Sequence, residues 1–144
     1  MTPRFLVDRL LQLLRRDRPG PYRGLRGVGQ RWERLAEKRL KDEGYRIQAR
    51  NYRTRTGEID FIAEENGVLC FIEVKGRSGL RFGAPAEAVT AEKQGRIVRA
   101  AELYLSRQRI GSRPCRFDVV SILERDGEAQ IAILRGAFEA GRKP

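Results

Sequence analysis

Apolar positions along this chain follow two rhythms, and the change between them marks out its parts. Residues 3 to 16 place Phe5, Leu6, Leu10, Leu13 and Leu14 on one helical face, which predicts a short amphipathic helix. Residues 17 to 28 are rich in proline, glycine and arginine and predict a linker. The chain therefore divides into an N-terminal helix and basic linker over 1–28 and a globular domain over 29–144. Within the domain, residues 30 to 43 again show helical spacing, with Trp32, Leu35, Ala36 and Leu40 inward and Gly44 as the stop signal. Three strands are expected next, at 45–53, 58–65 and 68–77. A second helix is expected over 86–109, with Ala88, Ile97, Ala100, Ala101, Leu103 and Leu105 among its apolar or small positions. Two last strands, 116–123 and 129–134, flank a turn at Asp126-Gly127. This order predicts an α/β domain with one mixed central sheet of about five strands, flanked by helices.

The second and third strands surround Asn66-Gly67, the strongest short hairpin signal. Read as a two-residue loop, it sets the register. Ala63 faces Cys70, Phe61 faces Ile72 and Ile59 faces Val74 on one apolar face. On the other face Ile62 meets Phe71, Asp60 meets Glu73 and Glu58 meets Lys75. Two apolar faces predict a central, buried hairpin. Directly opposed residues hold their Cβ atoms about 4.5–5.5 Å apart, and like charges there are destabilising. Asp60 and Glu73 therefore require a neutralising partner: a proton, a lysine or a divalent cation. Hard cations such as Mg²⁺ or Mn²⁺ take oxygen ligands. Lys75, two residues from Glu73 on the same face, would orient or deprotonate a water in that field. The competing reading is a structural carboxylate–lysine pair at a sheet end. A third acid, Glu33, falls at the edge of the inward stripe of its helix and would reach the hairpin end. Glu37 falls further out, toward solvent.

Charge narrows the partners. The chain carries 30 Lys and Arg against 19 Asp and Glu, a formal charge of +11. Such a balance favours phosphate backbones, although only five of the cations are lysines and an arginine excess also arises from GC-rich coding. The absence of histidine excludes histidine triads and imidazole metal sites, leaving carboxylates, lysine, hydroxyls or a bound metal for any chemistry. The two cysteines, Cys70 and Cys115, lie far apart in apolar runs and read as reduced core residues of a cytoplasmic protein. No apolar run is long enough to span a bilayer, so no membrane partner is expected.

At Asp60…Glu73-Val74-Lys75 the chain resembles the PD-(D/E)xK nuclease superfamily. More narrowly it resembles the YraN family of predicted bacterial endonucleases. The resemblance is carried by Gly29…Trp32-Glu33…Ala36, Gly44-Tyr45, Arg50-Asn51-Tyr52-Arg53, Gly57-Glu58-Ile59-Asp60, Phe71-Ile72-Glu73-Val74-Lys75-Gly76-Arg77, Ala88-Val89-Thr90…Lys93 and Arg116-Phe117-Asp118-Val119-Val120. Archaeal Holliday-junction resolvases show a similar order. The resemblance implies a restriction-endonuclease-like fold. It implies Glu33, Asp60 and Glu73 as metal-binding acids and Lys75 as the water-orienting base. It also implies Glu58 as a neighbouring acid or arginine partner, with Arg50, Arg53, Arg77 and Lys93 on phosphate. Ile59 stands where the superfamily name has proline. The Gln-x-x-x-Tyr helix motif of RecB-like exonucleases is absent, because Gln94 is followed four residues later by Val98.

The expected function is that of an Mg²⁺- or Mn²⁺-dependent endonuclease acting on DNA, with branched or damaged DNA in repair or recombination as the anticipated substrate. A homodimer would suit a branched substrate. Two alternatives remain open from sequence: a nucleic-acid-binding module that keeps the fold without turnover, and an adaptor that docks through residues 3–16.

Overall fold

The computed structural model describes residues 26–78 and 89–140. The expected helix over 3–16, most of the linker and Ala88 lie outside the described residues. Helix α1 spans Arg26–Asp42, so the last three residues assigned to the linker are helical. It is followed by β1 (Arg46–Arg53), β2 (Glu58–Glu65) and β3 (Val68–Ser78). Helix α2 (Ala91–Arg107) then leads to β4 (Cys115–Arg125) and β5 (Glu128–Phe138). The five strands form one sheet in the order β1-β2-β3-β4-β5. Only β3 and β4 run parallel, joined by the segment that contains α2; the other neighbours are antiparallel. This is the mixed five-stranded, helix-flanked sheet of the restriction-endonuclease-like fold.

Local chemistry ends the elements where the residues demand it. Gly44, at φ +99°, closes α1 with a paired hydrogen-bond motif: Tyr45 N–H donates to Leu40 C=O at 2.9 Å and Gly44 N–H to Lys41 C=O at 3.1 Å. Asn66-Gly67 and Asp126-Gly127 both take positive φ at both residues, as tight hairpins require.

The sheet separates two cores. On one face α1 buries Trp32, Ala36 and Leu40 against Phe61, Ala63, Cys70, Ile72, Val120 and Ile122. On the other, α2 buries Ile97, Ala100, Ala101 and Tyr104 against Ile62, Leu69, Phe71 and Val119. Tyr104, not Leu103, is the buried residue of the last turns, and it meets Tyr52 edge to face at 5.3 Å. Cys70 is buried as expected, but Cys115 is exposed, because it opens β4 at the end of the sheet.

Both helices approach the sheet through glycine. A Cβ on Gly76 would fall 2.1 Å from the Trp32 ring, and one on Gly57 would fall 2.5 Å from the backbone oxygen of Arg96. The first approach seats α1 on β3 and the second seats α2 on the β1–β2 connection.

At the hairpin tip lies a polar lock. Asp118 is fully buried and accepts from Tyr45 Oη–H (2.9 Å), Arg116 Nε–H (2.7 Å) and Gly136 N–H (2.9 Å). Arg116 also donates to Glu65 at 2.8 Å, and Arg135 grips Glu65 through two bonds of 2.8 and 2.7 Å. The bond to Gly136, at φ +66°, coincides with a register shift in β4–β5 between Phe117 and Val119, and β5 continues past it to Phe138, four residues beyond the expected end.

Two outcomes follow from these contacts. Gly76→Ala forces Trp32 to move, so the urea midpoint should fall by the equivalent of about 1–3 kcal/mol. The Arg135 hydrogen bonds hold the Glu65 carboxyl below its ordinary value of 4.5. Its stabilising contribution is therefore complete above that value and lost as pH falls below it through the folded value. Denaturation of Glu65→Gln between about pH 5 and 3 should accordingly show a shallower loss of stability than the parent.

Candidate active site

The site forms where the central hairpin stops behaving as a regular ladder. Pairing of β2 with β3 follows the expected register from Glu65↔Val68 to Phe61↔Ile72 and ends there. The expected pairs Ile59–Val74, Asp60–Glu73 and Glu58–Lys75 are not part of it. Beyond Ile72, Val74 N–H donates to Asp60 Oδ2 at 2.8 Å. A side-chain carboxylate thus takes a bond that continued pairing would have given to the backbone of β2.

The break also turns the strand. Regular alternation would put Ile59 on the same face as Phe61 and Ala63. Ile59 instead packs with Ile62 in the α2-side core, while Phe61 and Ala63 pack on the α1 side. The neighbouring strand is irregular at the same level. Arg50 pairs with Phe61 and Tyr52 with Ile59, while Asn51 between them adopts φ +50°. Asparagine tolerates this left-handed conformation better than most residues.

Asp60 and Glu73 are nevertheless neighbours. Burial first, then the charge of Glu73, pushes the Asp60 carboxyl well above the usual carboxylate range, with a hydrogen bond between the two side chains adding to the effect. Glu73 is buried. Its Oε1 accepts from Lys93 Nζ at 2.7 Å. Burial disfavours the Lys93 ammonium, but Glu73 outweighs it and the net shift is upward; Lys93 also meets the side chain of Lys75. Glu33 extends from α1, next to the Trp32 that sits on Gly76. Burial raises its pKa, a hydrogen bond from Asn51 opposes that rise, and the charges of Glu58 and Glu73 add to it. Alternation along β3 puts Lys75 on the α2 side with Glu73, half-buried.

Known proteins are similar to this chain in sequence across these residues. The model of the family described as "Uncharacterised protein family UPF0102" matches residues 32–122. The chain belongs to the UPF0102 family, which is the YraN family. A UPF0102 protein of Symbiobacterium thermophilum is 51% identical over 80% of this chain and 98% of its own length. One from Lachnoclostridium phytofermentans is 49% identical over 70% and 83%, and one from Myxococcus xanthus 38% identical over 89% and 99%. The UPF0102 match runs from Trp32 to Ile122 and so includes both helix approaches, Glu33, the acidic pair, Lys75 and Lys93.

The outer residues of this UPF0102 protein are placed less uniformly. Arg50, expected on phosphate, is ion-paired with Glu37. Glu37, expected in solvent, also meets Lys41 at 3.5 Å, one turn further along the same helix. Arg53 pairs with Glu58 at 3.6 Å, both exposed, which gives Glu58 the arginine-partner role. Arg77 is half-buried on β3. Lys93, also expected on phosphate, is engaged with Glu73 instead.

The donor set suits a hard cation: two carboxylates, one deeply buried, with room in an Mg²⁺ shell for waters and a substrate phosphate. Among the described residues, no group of three or more histidine, cysteine, aspartate or glutamate side chains is arranged to hold a metal ion. Asp60 and Glu73 would thus be the direct protein ligands, with Glu33 at the rim.

Asn51 has no role in the sequence motifs beyond its place in Arg50-Asn51-Tyr52-Arg53. Its signal, an asparagine inside a strand pattern beside two arginines, is weak without the backbone angle. Asn51→Gly should melt within a few tenths of a kcal/mol of the parent, whereas Asn51→Ala should lose about 1–2 kcal/mol because alanine resists the left-handed conformation. Thermal unfolding of the two variants side by side checks this.

Proposed function

We propose that this chain is a metal-dependent nuclease that hydrolyses phosphodiester bonds in DNA. The observation that carries the reading is the Asp60–Glu73 pair, Glu73 buried and Asp60 half-buried, with Lys75 on the same strand as Glu73. Two acids in the centre of a sheet are costly unless something compensates them. Stability alone would be served better by apolar residues there.

Asp60 and Glu73 would hold Mg²⁺ or Mn²⁺. Such an ion lowers the pKa of a bound water and offsets charge on the phosphate oxygens. Asp60 is fixed by its bond to Val74 N–H, so its position does not depend on substrate. Glu33, held by Asn51, would face the attacking side and orient water. Lys75, in the field of the carboxylates, would take or direct the proton of that water. Arg53 and Arg99 offer exposed cations on β1 and α2 for backbone phosphates. The formal charge of +11 supports a polyanionic substrate. Branched or damaged DNA remains the substrate class we favour, on the likeness to junction resolvases.

Cleavage of labelled duplex, single-stranded and four-way-junction DNA with Mg²⁺ or Mn²⁺ tests this. The parent should cut, Glu73→Ala should not, and Lys75→Ala should be slower by at least about a hundredfold. Salt-sensitive binding identical in parent and Glu73→Ala, with no cutting under either metal, would replace the nuclease with a binding module.

A further inference from the structure

Lys93 was expected on substrate phosphate, yet its ammonium lies 2.7 Å from Glu73 Oε1. Lys93 is the third residue of α2, where its N–H donates to the Thr90 hydroxyl at 3.1 Å. A cation in a first turn faces the positive end of the helix dipole, so the helix itself does not favour it there. The compensation comes from across the core, from Glu73. The helix that carries Lys93 is seated firmly. Gly57 admits the Arg96 backbone, and Ile97, Ala100 and Ala101 are buried beyond it. The ammonium is therefore delivered to Glu73 by the fold.

We propose that Lys93 is a stand-in cation for the acidic pair: it holds Glu73 until a divalent ion replaces it, and a nucleic-acid phosphate draws it away, so that substrate promotes metal loading. This deepens the nuclease reading and rests on the metal site proposed there. Lys93 holds Glu73 Oε1, so a divalent ion that takes that oxygen would sit about 4 Å from the ammonium and repel it strongly away from bulk water. The two cations therefore compete for Glu73. The Glu73 side chain is only 9% exposed and cannot follow either cation outward, whereas that of Lys93 is 38% exposed and can swing into solvent. A backbone phosphate at the rim gives the displaced ammonium a new partner of the right charge. Lys93 is thus a positioning residue that links two binding events through one carboxylate.

Mn²⁺ titration of the full chain, followed by the paramagnetic resonance of free Mn²⁺, tests the idea without using activity. In the absence of nucleic acid, Lys93→Gln should bind Mn²⁺ about tenfold more tightly than the parent. Lys93→Arg, which keeps the cation, should stay close to the parent, and Glu73→Gln should lose the site. Adding a short DNA duplex, with its own Mn²⁺ uptake subtracted, should tighten binding to the parent and narrow the gap to Lys93→Gln. Equal affinities of parent and Lys93→Gln, with binding lost in Glu73→Gln, overturn the proposal and leave the metal site standing. Absence of Mn²⁺ binding in parent and Lys93→Gln alike overturns both. A gap that the duplex does not change overturns the link to substrate.

Discussion

The bond from Val74 N–H to Asp60 Oδ2 organises the functional half of this protein. A buried strand N–H needs an acceptor, and in a regular hairpin the acceptor is the opposite backbone. Here it is a side chain. The backbone of β2 is then no longer tied to β3 beyond Phe61, and its faces exchange between Phe61 and Ile59. The carboxylate gains a fixed position within the sheet, beside Glu73 and away from bulk water. The irregularity extends into β1, where Asn51 turns left-handed between two regularly paired residues and engages Glu33. The end of β2–β3 pairing at this level, with the left-handed turn of Asn51 beside it, is what makes room for polar side chains in the centre of the sheet.

The two helices complete that opening through backbone contacts. Gly76 directly follows Lys75, and the Trp32 ring rests on it. Because Glu33 adjoins Trp32, the contact that packs α1 also aims the third acid. On the other face Gly57 lies one residue before β2, and the backbone of α2 rests on it. That contact brings the first turn of α2, and with it Lys93, to Glu73. Each charged group at the site is therefore positioned by an apolar or backbone contact within a few residues of it.

The opposite end of the hairpin is rigid for a different reason. Asp118, Glu65, Arg116, Arg135 and Tyr45 satisfy one another in a closed network across β2, β4, β5 and the start of β1. Burial and the facing Asp118 push the Tyr45 phenol up, and burial pushes the Cys70 thiol up to about 12, so neither ionises near neutrality. Paired charges at the tip and the Asp60–Glu73 acidic pair at the base divide the hairpin into an anchoring end and an end that carries the candidate site.

Much of this was legible in the sequence. Periodicity determined the two described helices and five strands, and the Asn66-Gly67 turn determined the register from Glu65 to Phe61. Together these placed Asp60, Glu73 and Lys75 in the central strands. Such features depend on neighbours along the chain and on the fixed periods of helix and strand. The end of the ladder at Asp60, the left-handed Asn51, the exposure of Cys115 and the tip network depend on contacts between residues far apart in sequence. Arg50 and Lys93 show the difference most clearly. The family resemblance implied that both would contact phosphate, but α1 brings Glu37 to one and the docking of α2 brings the other to Glu73. The sequence by itself determined which residues carry charge and on which strand they stand. Only the tertiary structure decided which opposite charge each one meets, because that depends on where two helices come to rest on the sheet.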